Sequence, residues 1–175
     1  QALALKDMQY VMDFSVGTSL ADMGQTAVDA LTLGIARCAT LQFTGTGGLG
    51  WDSHADNDAI QTANWEGLFD GLTTLMEILQ RTPGETEPTL LDETCVVVLS
   101  EMGRTPRLNP TGGKDHWPWT SALLIGGGMN PGMYGGTDST LRPTTQISSG
   151  NLLSTVSDIV GVRRLTEDGG IRGLA

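Results

Sequence analysis

Residues 95–104, CVVVLSEMGR, place five consecutive apolar side chains directly before a serine and a glutamate. A continuous apolar run of this length is typical of a strand that is covered on both faces, as in a parallel sheet. The polar stretch that follows, residues 100–120, is too long for a passive connector. Because ligands of open α/β sheets bind beyond the carboxyl ends of strands, we expect Glu101 to lie at a functional edge of the sheet.

Apolar patterns on both sides of this strand predict the remaining layers of an α/β fold. Helical patterns cover residues 20–37, 56–80 and 151–160. Residues 38–43 and 121–125 have the length and apolar content of strands. The order helix, strand, helix, strand, strand, helix is that of an α/β layer protein.

The two ends of the chain and its two cysteines carry less information. Residues 2–14 have a helix-like pattern, and the glycine-rich residues 167–175 are expected to form a loose end. Cys38 and Cys95 lie in or beside predicted strands, so we interpret them as small buried apolar side chains.

The charge of the chain narrows the classes of partner. Its 175 residues include 10 Lys and Arg against 20 Asp and Glu, which gives a formal net charge of -10. Such a field repels phosphate backbones, so we expect no nucleic-acid partner. No apolar run approaches the roughly 20 residues of a membrane span. The oligomeric state is left open.

Both histidines of the chain lie beside an aspartate in a glycine-rich loop, one as Asp52-Ser53-His54 and the other as Asp115-His116. Either motif alone is more often a solvated loop than a ligand pair. Together with Glu101, however, they supply the carboxylates and imidazoles that divalent metals prefer. Two such ions about 3.5–4 Å apart could clamp a phosphoryl-type group and activate water.

Two cations, Arg104 and Lys114, flank these carboxylates in the sequence. They could balance the local charge, or they could contact anionic oxygens of a substrate or transition state. Three hydroxyl side chains are also nearby in sequence, but none has an adjacent base that marks it as a nucleophile: Ser53, Ser100 and Thr105.

Three stretches together resemble the C-terminal signatures of the DUF1501 family. They are GWDSHADN at residues 50–57, SEMGRTP at 100–106 and GGKDHW at 112–117, in the family's order. The family is similar to the alkaline phosphatase and sulfatase superfamily. The resemblance implies a parallel-rich sheet sandwiched by helices, alkaline phosphatase-like and incomplete at the N-terminus. Residues 1–175 would then be the C-terminal part of a single domain.

The resemblance also implies a site and a function. The positions expected to hold metal are Asp52, His54, Glu101, Asp115 and His116, with Arg104 and Lys114 as catalytic cations. We expect a metal-dependent hydrolase of phosphate or sulfate esters or related anions, acting on a small anionic substrate. Its cofactor would be one or more divalent ions (Zn, Mg, Ca or Mn). Its cellular location would be periplasmic or otherwise extracytoplasmic. The alternatives are a non-catalytic, metal-stabilised extracytoplasmic binding module and an inactive fragment.

Two departures from the superfamily pattern bear on this expectation. A phosphatase would have Asp-His where this chain has Glu101-Met102, so one imidazole ligand is missing. Nothing before residue 38 resembles the superfamily's N-terminal strand, which carries an early metal-binding aspartate and precedes the nucleophile.

Overall fold

The computed structural model describes residues 19–175 and divides the chain into two compact units, one ending at Arg81 and the other formed by Thr82–Ala175. The helix predicted over residues 2–14 lies outside the described residues. Each unit is considered by itself.

The first unit contains helix α1 (Leu20–Thr32), a short 3-10 turn (Thr46–Gly48) and helix α2 (Asn57–Arg81). Ser19 caps α1, because its hydroxyl accepts a hydrogen bond from the amide of Asp22. The helix ends five residues before the predicted boundary at residue 37. Gly34 has φ +66° there, a left-handed conformation that ends helices.

Helices α1 and α2 pack through reciprocal contacts between leucines and glycines. A Cβ atom on Gly24 would lie 3.1 Å from Cδ1 of Leu75, and one on Gly71 would lie 2.7 Å from Cβ of Leu20. Each glycine therefore leaves the space that a leucine of the other helix fills. The buried leucines of α2 that complete this small core are Leu68, Leu72, Leu75 and Leu79.

The strand predicted over residues 38–43 is wrong, since these residues form no strand and Cys38 is exposed. The segment is held instead by a side chain, because Nε1 of Trp51 donates a 2.9 Å hydrogen bond to the carbonyl oxygen of Phe43. A short apolar run does not indicate which strand it would pair with. Residues 38–43 adopt an irregular conformation.

The second unit contains four strands and one helix: β1 (Cys95–Leu99), β2 (Gly103–Arg104), β3 (His116–Trp117), β4 (Ala122–Gly126) and α3 (Ser149–Ile159). Strand β1 pairs with β4 and β2 pairs with β3, both antiparallel. The register shifts by one residue between the two ladders, since Leu99 faces Ala122 but Gly103 faces Trp117. Residues 95–126 therefore form one long, offset hairpin.

The expected parallel-rich, alkaline phosphatase-like sheet sandwiched by helices is wrong. Within residues 19–175 the strands form only two two-stranded antiparallel sheets. Parallel neighbours need a crossover connection, usually a helix. The chain between β1 and β4 instead turns back on itself through β2 and β3. The molecule is a small α/β protein of a different layout.

The glycine-rich C-terminal segment is attached to the second unit, contrary to expectation. Leu174 is buried, and its carbonyl oxygen accepts a 2.8 Å hydrogen bond from the amide of Asn130. The amide of Ile171 donates to Oγ1 of Thr155 on α3 at 2.6 Å. A buried hydroxyl group of α3 therefore holds the C-terminal segment through a hydrogen bond.

Across residues 19–175, no helix is both long and apolar enough to cross a membrane.

Candidate functional site

The glycine loop, residues 45–50, is held at both ends by one side chain of α2. Oδ1 of Asn64 accepts a 2.7 Å hydrogen bond from the amide of Thr46, and its Nδ2 donates to the carbonyl oxygen of Gly50. Asn64 is completely buried. The loop also approaches the helix backbone closely, since a Cβ atom on Gly67 would lie 2.1 Å from Oγ1 of Thr46. Glycine at position 67 therefore leaves room for the side chain of Thr46.

A row of amide side chains on α2 continues this attachment towards the helix start. Nε2 of Gln61 donates to the carbonyl oxygen of Trp51 at 3.2 Å and to Oγ of Ser53 at 3.1 Å. Ser53 is fully buried and donates in turn to Oδ1 of Asn57 at 3.0 Å. Asn57, Gln61 and Asn64 share one helix face because they are spaced by four and three residues. Together they fix the backbone on either side of Asp52.

The backbone held in this way presents Asp52 and His54 to solvent. Oδ1 of Asp52 and Nδ1 of His54 are in direct contact. The side chains remain 74% and 45% exposed, respectively. The buried Ser53 points inward between them, so the two flanking side chains emerge on the same side of the chain. Two side chains with Asp-x-His spacing can therefore converge from a single turn.

In the second unit, the offset hairpin brings two of the three sequence motifs together. Arg104 of β2 faces His116 of β3 as its register partner. The amide of Thr105 donates to the carbonyl oxygen of Asp115 at 3.0 Å, and the amide of Asp115 donates to Oγ1 of Thr105 at 3.2 Å. SEMGRTP and GGKDHW are therefore the two sides of one hairpin.

Gly103 allows this hairpin to close. A Cβ atom at this position would lie 2.0 Å from the carbonyl oxygen of Trp119, which is a backbone atom that cannot rotate away. The glycine of SEMGRTP is therefore required by close backbone approach, not by an unusual φ angle.

Asp115 is oriented by the turn at the tip of the hairpin. Nδ2 of Asn109 donates a 3.2 Å hydrogen bond to Oδ1 of Asp115. Oδ1 of Asn109 accepts from the amides of Thr111 and Gly113 at 3.0 and 2.9 Å, which fixes the asparagine itself. Hydrogen bonds of this kind orient the carboxylates that ligate metals.

The two predicted catalytic cations are linked across the same hairpin. NH1 of Arg104 donates a 3.1 Å hydrogen bond to the carbonyl oxygen of Lys114. Both residues are partly exposed. One guanidinium nitrogen of Arg104 therefore binds a backbone carbonyl group. This bond holds the charged group beside β2 and β3.

Glu101 lies outside the paired strands, in the exposed bend between β1 and β2. The bend is closed by Ser100, whose Oγ donates to the carbonyl oxygen of Met102 at 2.8 Å and lies 2.9 Å from Oγ1 of Thr120. The structure therefore groups Arg104, Lys114, Asp115 and His116 at the paired strands β2 and β3, with Glu101 in the bend that precedes β2.

The supporting amides of α2 were missed by sequence reasoning. Asn57, Gln61 and Asn64 have no role in the predicted site, although the side chain of Asn57 binds Ser53. Their signal is present in the sequence, because three polar amides at helical spacing continue the face that buries Leu68 and Leu72. A polar row in line with a leucine stripe indicates a helix face that binds a loop.

These features define a class: an acidic α/β protein with two loop-borne Asp/His motifs, one beside a helix and one on a hairpin. The chain belongs to the DUF1501 family, described as a protein of unknown function, whose family profile matches residues 18–167. The search of curated proteins and the search of solved structures found no significant match.

Proposed function

We propose that the chain carries metal ligands and anion-binding cations of a metal-dependent hydrolase acting on phosphate or sulfate esters or related anions. The observation that carries the proposal is the contact between the Asp52 carboxylate and the His54 imidazole on a backbone fixed by buried amides. A carboxylate oxygen and an imidazole nitrogen form a donor set suited to a borderline divalent ion such as Zn or Mn.

The donor atoms of this pair fit an ion in two respects. They converge from one turn, so both can reach a single ion without a change in the backbone. Both side chains are also substantially exposed, so an ion can reach the two donor atoms from solvent. Glu101, Asp115 and His116 remain proposed ligands on the second unit, and Asn109 supports the orientation of Asp115.

Different residues of the chain would have different roles in the proposed reaction. A bound divalent ion supplies Lewis acidity and lowers the pKa of water. Asp52 and His54 hold their donor atoms in place, while Arg104 and Lys114 attract the anionic substrate and stabilise charge that develops on its oxygens. The bond from Arg104 to the carbonyl oxygen of Lys114 limits the motion of the guanidinium.

A second candidate is a non-catalytic, metal-stabilised binding module. It is favoured by the hydrogen bonds that the three nearby hydroxyl groups donate. Ser53 donates to Asn57, Ser100 to the carbonyl oxygen of Met102, and the hydroxyl of Thr105 to the carbonyl oxygen of Arg107. All three hold structural bonds, which does not suit a nucleophile. In the hydrolase proposal, the attacking group is therefore water and not one of these three hydroxyls.

Metal content and turnover distinguish the two candidates. The purified chain is dialysed, its metal is measured by mass spectrometry, and hydrolysis of a panel of aryl phosphates and sulfates is followed before and after chelation. The hydrolase proposal predicts bound metal and chelator-sensitive turnover that His54→Gln and His116→Gln both reduce, with Glu87→Gln as an exposed control. Bound metal that raises the melting temperature without any turnover would favour the binding module.

An extracytoplasmic address and the chemistry of the alkaline phosphatase and sulfatase superfamily remain part of this proposal. They rest on the sequence motifs alone, and the parallel sheet of that superfamily is not included in it.

A further inference from the structure

The outer flank of α2 carries an exposed aromatic surface. Four rings follow one another: Phe43 and Trp51 meet edge to face at 5.9 Å between centroids, Trp51 and Trp65 at 5.5 Å, and Trp65 and Phe69 stack at 5.7 Å. Trp65 and Phe69 remain 48% and 52% exposed. The row therefore begins against the glycine loop and ends in solvent.

An open groove of about 720 Å³ lies along this flank, and carboxylates line it together with the two exposed rings. Three acidic residues take part: Asp58, Glu66 and Asp70. Glu66 precedes Phe69 by three residues and Asp70 by four, so the Glu66 carboxylate lies on the same flank of the helix as the Phe69 ring and the Asp70 carboxylate.

The helix offers this groove no cation of its own. Arg81 is the one basic residue of α2, and its guanidinium pairs with Glu77 at 3.0 Å, away from the groove. Between residues 19 and 81, the other lysine or arginine in the sequence is Arg37. The carboxylates beside the rings therefore make this surface complementary to a positively charged group.

We propose that this groove, formed by Trp65 and Phe69 with Asp58, Glu66 and Asp70, binds an arginine side chain presented by a peptide segment of a partner protein. A guanidinium is planar, so it can stack on the indole of Trp65 while its N–H groups bind a neighbouring carboxylate. An ammonium group is a compact, strongly hydrated charge and gains less from the flat ring faces. The combination of ring and carboxylate thus favours arginine over lysine and over uncharged groups.

Calorimetric titration of the whole chain with a capped pentapeptide containing two arginines tests this proposal. Matched peptides carry lysine or the uncharged arginine analogue citrulline, and maltotriose serves as a sugar probe. We expect the arginine peptide to bind and the citrulline peptide to bind about tenfold more weakly, the loss that about 1.4 kcal/mol of charge-dependent interaction would cause. Added salt should weaken binding of the arginine peptide.

Three variants locate the interaction. Trp65→Ala and Asp70→Asn should each weaken the arginine peptide several-fold, whereas Trp119→Ala, a partly exposed tryptophan of the second unit, should leave the affinity unchanged. Asp70→Asn is an exposed change that keeps the fold, so it carries the test if Trp65→Ala fails to fold. Equal binding of the citrulline peptide, unchanged affinity in Asp70→Asn, or binding of maltotriose in place of the peptide would overturn the proposal. Chelation should have no effect, which separates this surface from the metal proposal.

Discussion

Oδ1 of the buried Asn64 accepts a 2.7 Å hydrogen bond from the backbone amide of Thr46. The same side chain donates to the carbonyl oxygen of Gly50, so one amide group closes the glycine loop. The geometry of Asp52 and His54 depends on this closure, because their backbone continues directly from Gly50.

Asn64→Ala should destabilise the first unit strongly. It removes two part-buried hydrogen bonds to the loop backbone, and each such bond typically contributes about 0.5–1.5 kcal/mol. Thermal or urea unfolding followed by circular dichroism measures the change, with Thr62→Ala on the exposed side of the same helix as control. Equal stability of the two variants would show that the loop is held by other contacts.

Gly103→Ala should disrupt the offset hairpin. The added methyl group would lie 2.0 Å from the carbonyl oxygen of Trp119, and relief requires a shift of backbone. We expect a loss of roughly 1–3 kcal/mol or more in unfolding free energy. Gly169→Ala is the matched control, since a Cβ atom there has no neighbour within 4 Å. The hypothesis of close approach fails if both alanines are tolerated equally.

Glu93 should make stability depend on pH in the acid range. The amides of Glu85, Thr86 and Glu87 and the hydroxyl of Thr86 donate to its carboxylate and lower its pKa from 4.5 to about 2. Because the folded pKa is depressed, the stabilisation is fully present above pH 4.5 and is lost as the pH falls through about 2.

The measurement is the melting temperature as a function of pH for the wild type and Glu93→Gln. The variant should melt below the wild type at neutral pH, and the difference should close as the pH approaches 2. Glu85→Gln, an exposed glutamate of the same loop, is the control. A difference between the wild type and Glu93→Gln that is constant with pH would contradict this account.

The two cysteines should differ in reactivity. Cys38 is exposed, whereas Cys95 is half-buried in β1 and its burial raises the pKa of the thiol. Because the thiolate is the reactive form, iodoacetamide at mild alkaline pH should modify Cys38 several-fold faster. Intact-mass time courses of Cys38→Ser and Cys95→Ser isolate each rate. Faster modification of Cys95 would show that β1 opens more readily than its packing indicates.

The sequence predicted the local elements well where one strong pattern covered the whole element. Residues 56–80 were expected to be helical and the helix spans Asn57–Arg81, while the strand expected at 95–99 has those bounds. Such patterns depend on neighbours along the chain, so they can be recognised without knowledge of the tertiary structure.

The pairing of the strands could not be predicted in the same way. The continuous apolar run Cys95–Leu99 favoured a parallel neighbour, but the connection decides the pairing and makes it antiparallel. That connection folds as a hairpin because Gly103 has no side chain and leaves room for the carbonyl oxygen of Trp119. The two residues are far apart in sequence, so a local pattern does not show this contact. The resemblance to alkaline phosphatases supplied the wrong sheet, although the motifs that carried it identified the family correctly.

The candidate site was predicted in part. Asp52 and His54 were named together as candidate ligands, and the structure places the two side chains in contact. The joining of Arg104 and His116 across a hairpin was not foreseen, since it depends on the register of β2 and β3. The roles of Gln61 and Asn64 were also missed, because a polar side chain on a helix is usually solvated.

The central claim is that Asp52 and His54 form a metal-binding pair, and equilibrium titration of the chelator-treated chain with Zn or Mn tests it most directly. We predict saturable binding in the wild type that His54→Gln weakens by about tenfold or more, the loss expected when one imidazole ligand is removed. Glu87→Gln should match the wild type. Identical dissociation constants for the wild type and His54→Gln, with both proteins folded, would contradict the claim.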